Sequence, residues 1–384
     1  MKSDPLLLQS RKITRTLSCS AFLVLLSLAA VPELECRQDE HIALALSQPL
    51  IAKWRYESDR MSNLTPASDD RTIYLPLTSG ILVALAAADG QLRWKADAGG
   101  EFSSAPVADE RNVYVATEYH QPVGNQSPIH GTLRAISKET GVTHWMRTLP
   151  SPLRGGLVAT TTRLFGAASD GRVYAFDKGS GLTVWINQYA QAFSGQPAVF
   201  GDRLYIGGDT GTLFALDQNT GRTVWRYRTR AAIQGPIAVA NGVIYFGSGD
   251  GYVYAFNESR ANLLWRHRTG AAVQAVVVVD NGLLAASLDN FAYLLSLRKG
   301  SLIWRQLLPG RIAARPITAP DGALFTPLST DSAIVLGLKD GKPVNTLPLG
   351  EDNSSSAAPI ALAGLVLVPV PHGLLAFSAP QSKH

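Results

Sequence analysis

The sequence predicts an all-β protein, an eight-bladed β-propeller built from four-stranded antiparallel blades. Three observations predict it: a tryptophan that recurs about every 40 residues, a strand–turn–strand phrase before each tryptophan, and an incomplete blade at each end of the repeat region. Composition agrees, because 34 glycines and 22 prolines in a chain with only 17% charged residues are typical of short strands joined by tight turns.

The tryptophans set the period of the repeat. The seven tryptophans of the chain follow one another in steps of 40, 51, 40, 40, 40 and 39 residues, at Trp54, Trp94, Trp145, Trp185, Trp225, Trp265 and Trp304. The step of 51 contains an inserted segment at residues 120–126, and one further step of 41 reaches Asn345. We therefore expect an eighth copy of the repeat that has lost its tryptophan.

Each tryptophan ends the phrase A-x-D-x-x-x-G-x-x-x-W, seen most clearly at residues 175–185 and 215–225. The aspartate is expected to accept hydrogen bonds from the turn, and the glycine to supply the positive φ that closes the hairpin. The indole is large enough to fill the gap between two blades, with its N–H on a nearby carbonyl. The glycine recurs in six copies and is replaced only by Ala261.

The two ends of the repeat region fix the number of blades. Residues 50–56 read as a last strand without its blade, and residues 372–377 read as a third strand without a fourth. The N-terminal strand is therefore expected to complete the last blade and close the ring. A seven-bladed ring is the alternative, if the copy between Thr330 and Asn345 does not fold as a blade.

The N-terminus reads as a secretory signal. A basic stretch at residues 11–15 precedes an apolar run at residues 21–31, so we expect a signal peptide at 1–30, a linker at 31–49, the propeller at 50–380 and a short tail at 381–384. Export to the periplasm or cell envelope follows, with an uncleaved anchor as the alternative. Neither Cys19 nor Cys36, the only cysteines, lies in a good lipobox, so a lipid anchor is not supported.

Charge and residue content argue against several functions. The formal net charge is +5, and residues 1–29 carry +3 of it, which leaves a nearly neutral body with no electrostatic reason to bind nucleic acid. Residues 37–384 contain no cysteine, and we find no Ser-His-Asp spacing, zinc-ligand cluster or phosphate loop. The aspartates lie mostly in turns. We therefore predict no catalytic, cofactor or metal site, and no enzyme activity.

The repeated phrase resembles the tryptophan-docking motif of the PQQ-like, or quinoprotein-type, propeller family over about residues 50–380. The resemblance is closest in type to BamB, a family member that acts as an outer-membrane protein assembly factor. It implies a non-catalytic periplasmic scaffold that binds an envelope protein, such as a BamA-type outer-membrane barrel protein. Other members are PQQ-dependent alcohol dehydrogenases, so a PQQ- and Ca²⁺-binding relative is one alternative. An envelope sensor or ligand-binding propeller is another.

Two groups of polar residues stand out from the repeat. The first precedes or replaces the repeating proline of the inner strands and is predicted to form a channel ring: Gln196, Gln234, Gln274 and Arg315. The second follows three successive tryptophans and is predicted to form a basic partner patch: Arg226, Arg228, Arg230, Arg266, Arg268 and Arg305.

Both groups have a structural alternative. The channel side chains can satisfy one another or bind water, and the arginines can simply keep the edges of the blades solvated. The inserted loop at residues 120–130 is a third candidate for binding. We expect a monomer with peripheral membrane contact or none.

Overall fold

A computed structural model describes residues 44–120, 128–351, 355–362 and 364–380. The expected signal peptide, both cysteines and the expected C-terminal tail lie outside these residues, as does most of the inserted loop. The described part of the chain contains 33 β-strands and no helix. It therefore contains no helix with the length and hydropathy of a membrane span.

The strands form eight antiparallel sheets, each one blade, with the first strand of each sheet nearest the axis. Blades 1 to 4 contain β2 (Ala67–Ser68), β3 (Thr72–Leu77), β4 (Ile81–Ala86) and β5 (Leu92–Asp97); β6 (Glu101–Phe102), β7 (Val107–Ala108), β8 (Asn112–His120), β9 (Ile129–Ser137) and β10 (Thr143–Leu149); β11 (Leu153–Ala159), β12 (Arg163–Ala168), β13 (Arg172–Asp177) and β14 (Thr183–Gln188); β15 (Ala198–Phe200), β16 (Arg203–Gly207), β17 (Thr212–Asp217) and β18 (Thr223–Arg228).

Blades 5 to 8 contain β19 (Ala238–Ala240), β20 (Val243–Gly247), β21 (Tyr252–Asn257) and β22 (Asn262–Arg268); β23 (Val273–Val279), β24 (Gly282–Ser287), β25 (Phe291–Leu295) and β26 (Leu302–Leu307); β27 (Ile317–Ala319), β28 (Gly322–Phe325), β29 (Ser332–Gly337) and β30 (Pro343–Pro348); β31 (Ile360–Leu362), β32 (Leu365–Val370), β33 (Gly373–Ser378) and β1 (Ile51–Glu57). The prediction of eight blades is confirmed, and blade 2 has one short extra strand, β6.

The ring closes where β1 pairs with β33, with Trp54 opposite Ala376. The last blade thus combines the two ends of the repeat region, as the incomplete blades predict. The middle strands of each blade are mostly apolar, and all six residues of β3 are buried, because each sheet is packed on both faces by its neighbours. The outer strands alternate exposed and half-buried residues, as in β18.

Seven of the eight seams between blades are built around an indole. The Trp94 N–H donates to the carbonyl of Lys138 in the next blade at 2.7 Å, and Trp304 bonds Leu338 at 2.9 Å in the same way. The ring lies flat on the turn glycine of that next blade: a Cβ on Gly141 would come within 2.7 Å of the Trp94 ring. These glycines have φ between +65° and +73°. Close approach and positive φ together require glycine there.

Two seams depart from this pattern. At the Trp225 seam the turn residue is Ala261, which takes φ +50°, and the indole stacks on Phe256 with ring centroids 5.1 Å apart. At the seam between blades 7 and 8, Asn345 occupies the tryptophan position. Blade 8 has no hairpin turn there, because its third and fourth strands come from opposite ends of the repeat region, so an indole at residue 345 would have no turn glycine to pack on.

Residues 44–50, here called the arm, fill the seam between blades 7 and 8. Asn345 Nδ2 donates to the carbonyls of Leu46 and Gln48 at 3.0 and 2.6 Å. The Asp321 carboxylate accepts from the N–H groups of Leu46 and Ser47 at 3.1 and 2.8 Å. Leu44, Leu46 and Leu50 are buried in a core shared with blades 7 and 8. Residues 44–49, inside the range expected to be a linker, are therefore packed against the propeller.

The indole–glycine contact predicts a specific loss of stability. Gly181→Ala places a methyl group against Trp145 at a position with φ +71°, and should lower the free energy of unfolding by about 2–4 kcal/mol. The matched control is Gly201→Ala, because Gly201 has φ +55° and nothing within 4 Å of its Cβ position. It should cost only the backbone strain, about 1–2 kcal/mol. Urea unfolding of both variants measures this, and equal losses would contradict the packing role.

The arm predicts a pH-dependent term in stability. Burial would raise the pKa of Asp321, but hydrogen bonds from Ser47 and the Leu46 N–H outweigh it and hold the pKa below its ordinary range. Because the folded pKa is lowered, the contribution of Asp321 is present above its ordinary pKa and is lost as the pH falls through the lowered value. Asp321→Asn should flatten the acid limb of the Tm–pH curve, and an acid limb as steep as that of the unaltered protein would contradict this role of Asp321.

Candidate functional site

The innermost strands of the eight blades converge on a central cavity of about 640 Å³. Residues from every blade line it, and the repeating prolines at the start of these strands are among them. All four members of the predicted channel ring, Gln196, Gln234, Gln274 and Arg315, lie on its wall. The structure therefore brings the four together, although it does not test whether they bind a ligand.

The channel ring has two layers. Ala198 pairs with Tyr205 in blade 4 and Ala238 pairs with Tyr245 in blade 5, so these two alanines are equivalent. Gln196 lies two residues before its alanine, whereas Gln234 lies four before, level with Ser194. Accordingly Gln234 Nε2 donates to Ser194 Oγ at 3.0 Å, and that hydroxyl donates to the Asp209 carboxylate. The side-chain amide of Gln234 therefore already has a hydrogen-bond partner within the protein.

Sequence reasoning missed other polar residues of the cavity. Ser103, Ser104 and Arg154 also line it. Ser103 donates to the carbonyl of Leu153 at 2.8 Å, whereas the buried Ser104 hydroxyl has no hydrogen-bond partner among the described residues. Ser104 lies two residues before Pro106, as Gln234 lies two residues before Pro236, so the signal that identified the glutamines was available for this serine too.

The two strands that flank the inserted segment, β8 and β9, pair as a hairpin of nine residues each and extend blade 2 beyond the ordinary strand length. The pairing of β8 with β9 continues to His120 opposite Ile129, and the rings of Tyr119 and His130 lie 5.8 Å apart. Arg154 of blade 3 bonds the Glu118 carboxylate at 2.8 Å. On the other side, the Glu101 carboxylate accepts from the N–H of Ser79 in blade 1 at 2.8 Å. Both neighbouring blades therefore brace the hairpin.

The predicted basic patch lies on the outer strands, away from the cavity lining. Arg226 and Arg228 are on β18, Arg266 and Arg268 on β22, and Arg305 on β26. All five are exposed, as is Arg230 in the loop after β18. The Arg266 guanidinium lies 4.9 Å from the ring centre of Tyr252, and Arg305 lies 5.1 Å from that of Phe291. Three adjacent blades thus carry these arginines.

The titratable groups with shifted pKa values make contacts within and between blades. Burial would raise the pKa of Asp109, but hydrogen bonds from the N–H groups of Asn112 and Arg111, together with Lys178 of blade 3, hold it below its ordinary range. Lys178 Nζ is 2.9 Å from that carboxylate. Burial also raises the pKa of Tyr293 to about 12, with a further contribution from its bond to Asp289. None of these groups lines the cavity, so the shifts mark structural ion pairs and hydrogen bonds.

The residues present do not fit a PQQ–calcium centre. No cluster of three or more His, Cys, Asp or Glu side chains occurs in the described part of the chain, although Ca²⁺ needs six to eight oxygen ligands. The described residues that line the cavity include no aromatic side chain to stack on a planar quinone. The only two cysteines of the sequence, Cys19 and Cys36, are not adjacent.

Fold and seams together define the class: an eight-bladed propeller with PQQ-type tryptophan docking. A family model described as "Outer membrane protein assembly factor BamB" matches residues 52–165 and 169–294, more than half of the chain. The chain therefore belongs to this family of PQQ-like propellers. No curated protein matches the sequence.

Solved structures are similar in fold at low sequence identity. BamB from Moraxella catarrhalis has a TM-score of 0.73 and 17% identity, and the alignment covers 88% of this chain and 99% of that one. The computationally designed Ika8 protein has a TM-score of 0.73 at 13% identity, over 85% and 99% of the two chains. Quinohemoprotein alcohol dehydrogenase from Comamonas testosteroni has a TM-score of 0.71 at 12% identity, over 87% of this chain and 77% of that one.

The poor fit to a quinone centre predicts the outcome of a cofactor titration. Adding PQQ and Ca²⁺ to the purified protein should leave the absorbance spectrum of the quinone and the Tm of the protein unchanged, because no acidic cluster or stacking ring is available among the described residues. A PQQ-dependent alcohol dehydrogenase treated in parallel serves as the positive control. A saturable change in quinone absorbance would show that this chain binds PQQ.

Proposed function

We propose that this protein is a non-catalytic scaffold of the cell envelope that binds a protein partner during the assembly of outer-membrane β-barrel proteins. The observation that carries the proposal is the match of the BamB family model over more than half of the chain. The fold supports it, since the BamB structure from Moraxella catarrhalis is covered over 99% of its length. The repeated tryptophans, glycines and aspartates form the contacts and turns that hold the blades together. They are not arranged as a general acid, general base or nucleophile at a common site.

The hairpin of blade 2 is the proposed partner-binding element. It extends farther than the other β-hairpins, and long elements on a rigid scaffold are common binding sites. Pairing of Glu101 with Glu118 and the Arg154–Glu118 ion pair hold its base, so binding would cost little free energy to order that base. Its described end presents exposed His120 and Ile129 beside the Tyr119 and His130 rings, a mixed apolar and polar surface of the kind found at protein interfaces.

Co-purification tests the proposal. The tagged full chain, expressed in the organism that encodes it and cross-linked before membrane extraction, should recover an outer-membrane barrel protein of the BamA type. Tyr119→Ala combined with His130→Ala should reduce that recovery about tenfold or more, because truncation of central contact residues removes most binding energy. Recovery of no envelope protein would overturn the scaffold function.

A matched control separates hairpin binding from general damage. His144→Ala combined with Met146→Ala alters two exposed side chains of the same blade, on its outer strand β10. This variant should recover the partner as the unaltered protein does. Equal loss in both variants would place the contact elsewhere on the propeller and leave the scaffold function standing.

A further inference from the structure

The outer strands of blades 4 to 6 share one pattern of exposed side chains, and the proposed scaffold function does not involve these residues. Residues that alternate with the tryptophan lie on the opposite side of each strand from the indole. In β18 and β22 they form the same series, an aliphatic residue followed by two arginines; in β26 the last position is a leucine. The arginine rim is defined here by its five exposed cations: Arg226, Arg228, Arg266, Arg268 and Arg305.

The charge of the arginine rim is uncompensated. None of its five side chains forms an ion pair with another described residue, although the equivalent Arg55 of blade 8 pairs with Glu57 at 3.0 Å. Two of the guanidinium groups are also held in place. Arg266 stacks on Tyr252 and Arg305 on Phe291, at equivalent positions of neighbouring blades. A stacked guanidinium keeps its N–H edge free for an oxyanion, and phosphate suits it geometrically.

Aliphatic side chains accompany these cations on the same strands. Val224, Leu264 and Ile303, each immediately before its tryptophan, are each 47% exposed, and Leu307 is 55% exposed. Exposed residues of this size next to arginine are typical of surfaces that lie in the interface of a membrane, where the cation meets the phosphate and the aliphatic group enters the acyl boundary. Protein-binding hot spots combine arginine with tryptophan and tyrosine and are poor in leucine and valine, whereas the outward side of these strands has aliphatic residues and no aromatic one.

The shape of the arginine rim also favours an extended surface. No rim residue lines the central cavity or the surface recess between Pro309, Asp331 and Thr346, so the cations do not surround either of these recesses as a site for a compact anion. Arg226, Arg266 and Arg305 each follow a tryptophan of the repeat, and therefore lie at one height along the edge of the ring. Attraction to a charged surface extends over about 8–10 Å at physiological salt, which lets neighbouring blades contribute together.

We propose that the arginine rim binds the surface of a membrane that contains anionic phospholipid. Guanidinium groups bind lipid phosphates, and the adjoining aliphatic side chains enter the interface. The contact would be peripheral and reversible, and it would present the side of the propeller, rather than either end of its channel, to the lipid.

Vesicle co-sedimentation of the full chain tests this. Vesicles of phosphatidylethanolamine with about 30% phosphatidylglycerol should bind the protein at low salt, and binding should weaken as salt is added. Phosphatidylcholine vesicles should not bind it. The variant Arg226→Ala/Arg266→Ala/Arg305→Ala should bind anionic vesicles about 100-fold more weakly, because each basic residue near an anionic surface contributes roughly a fivefold factor.

Two further variants make the test specific. Arg55→Ala/Arg93→Ala/Lys95→Ala removes the same charge from exposed outer-strand positions of blades 8 and 1, and should bind as the unaltered protein does. Arg226→Lys/Arg266→Lys/Arg305→Lys keeps the charge and should retain most binding, which also guards against a misfolded alanine variant.

Several results would overturn the proposal: no sedimentation with anionic vesicles at low salt, equal loss in the blade 8 and 1 control, or equal binding to phosphatidylcholine. Binding of the rim to polyglutamate without binding to vesicles would instead indicate an acidic protein partner. Because no partner protein is present in this assay, its failure is distinguishable from failure of the scaffold function.

Discussion

The contact of an indole with a turn glycine of the next blade is the interaction on which the rest of this structure depends. It joins an apolar surface, a hydrogen bond and a backbone requirement in one place: the Trp304 ring covers Gly341, and its N–H bonds the adjacent Leu338 carbonyl. Each blade alone has two apolar faces that it cannot bury. The contact joins one blade to the next and does not involve the outward side of the outer strands, the end of the blade 2 hairpin or the channel mouth.

The seam between blades 7 and 8 shows what replaces the indole–glycine contact where no turn glycine is available. Where the ring joins the two ends of the repeat region, no hairpin turn exists, and the tryptophan position holds Asn345. The arm then supplies what the turn would have supplied: apolar side chains for the gap and backbone groups that Asn345 and Asp321 bind. The blade that closes the ring therefore depends on β1, and the preceding seam on the few residues just before it.

The repeated residues made the fold predictable from the sequence. Features that do not repeat, such as the arm and the contacts of the blade 2 hairpin, could not be predicted in the same way. The period of the tryptophans, the turn glycines and the two incomplete blades determined the blade number and the closure by β1. The arm could not be predicted, because its bonds join backbone groups to side chains up to 299 residues away. The four residues of the channel ring line one cavity, but their division into two layers depends on the register of the inner strands. The ion pair of Arg154 with Glu118 joins two neighbouring blades, and no local sequence pattern indicates that these two residues meet.

Hydrogen exchange measured by mass spectrometry tests most directly whether the arm replaces the missing indole contact. Leu44→Ser/Leu46→Ser should leave the fold intact but remove the apolar filling of one seam. We expect faster exchange confined to β29 and β30 of blade 7 and to β1 and β31–β33 of blade 8, with blades 2 to 5 unchanged. Unchanged exchange throughout, or acceleration spread evenly over all eight blades, would contradict this account of how the ring is closed.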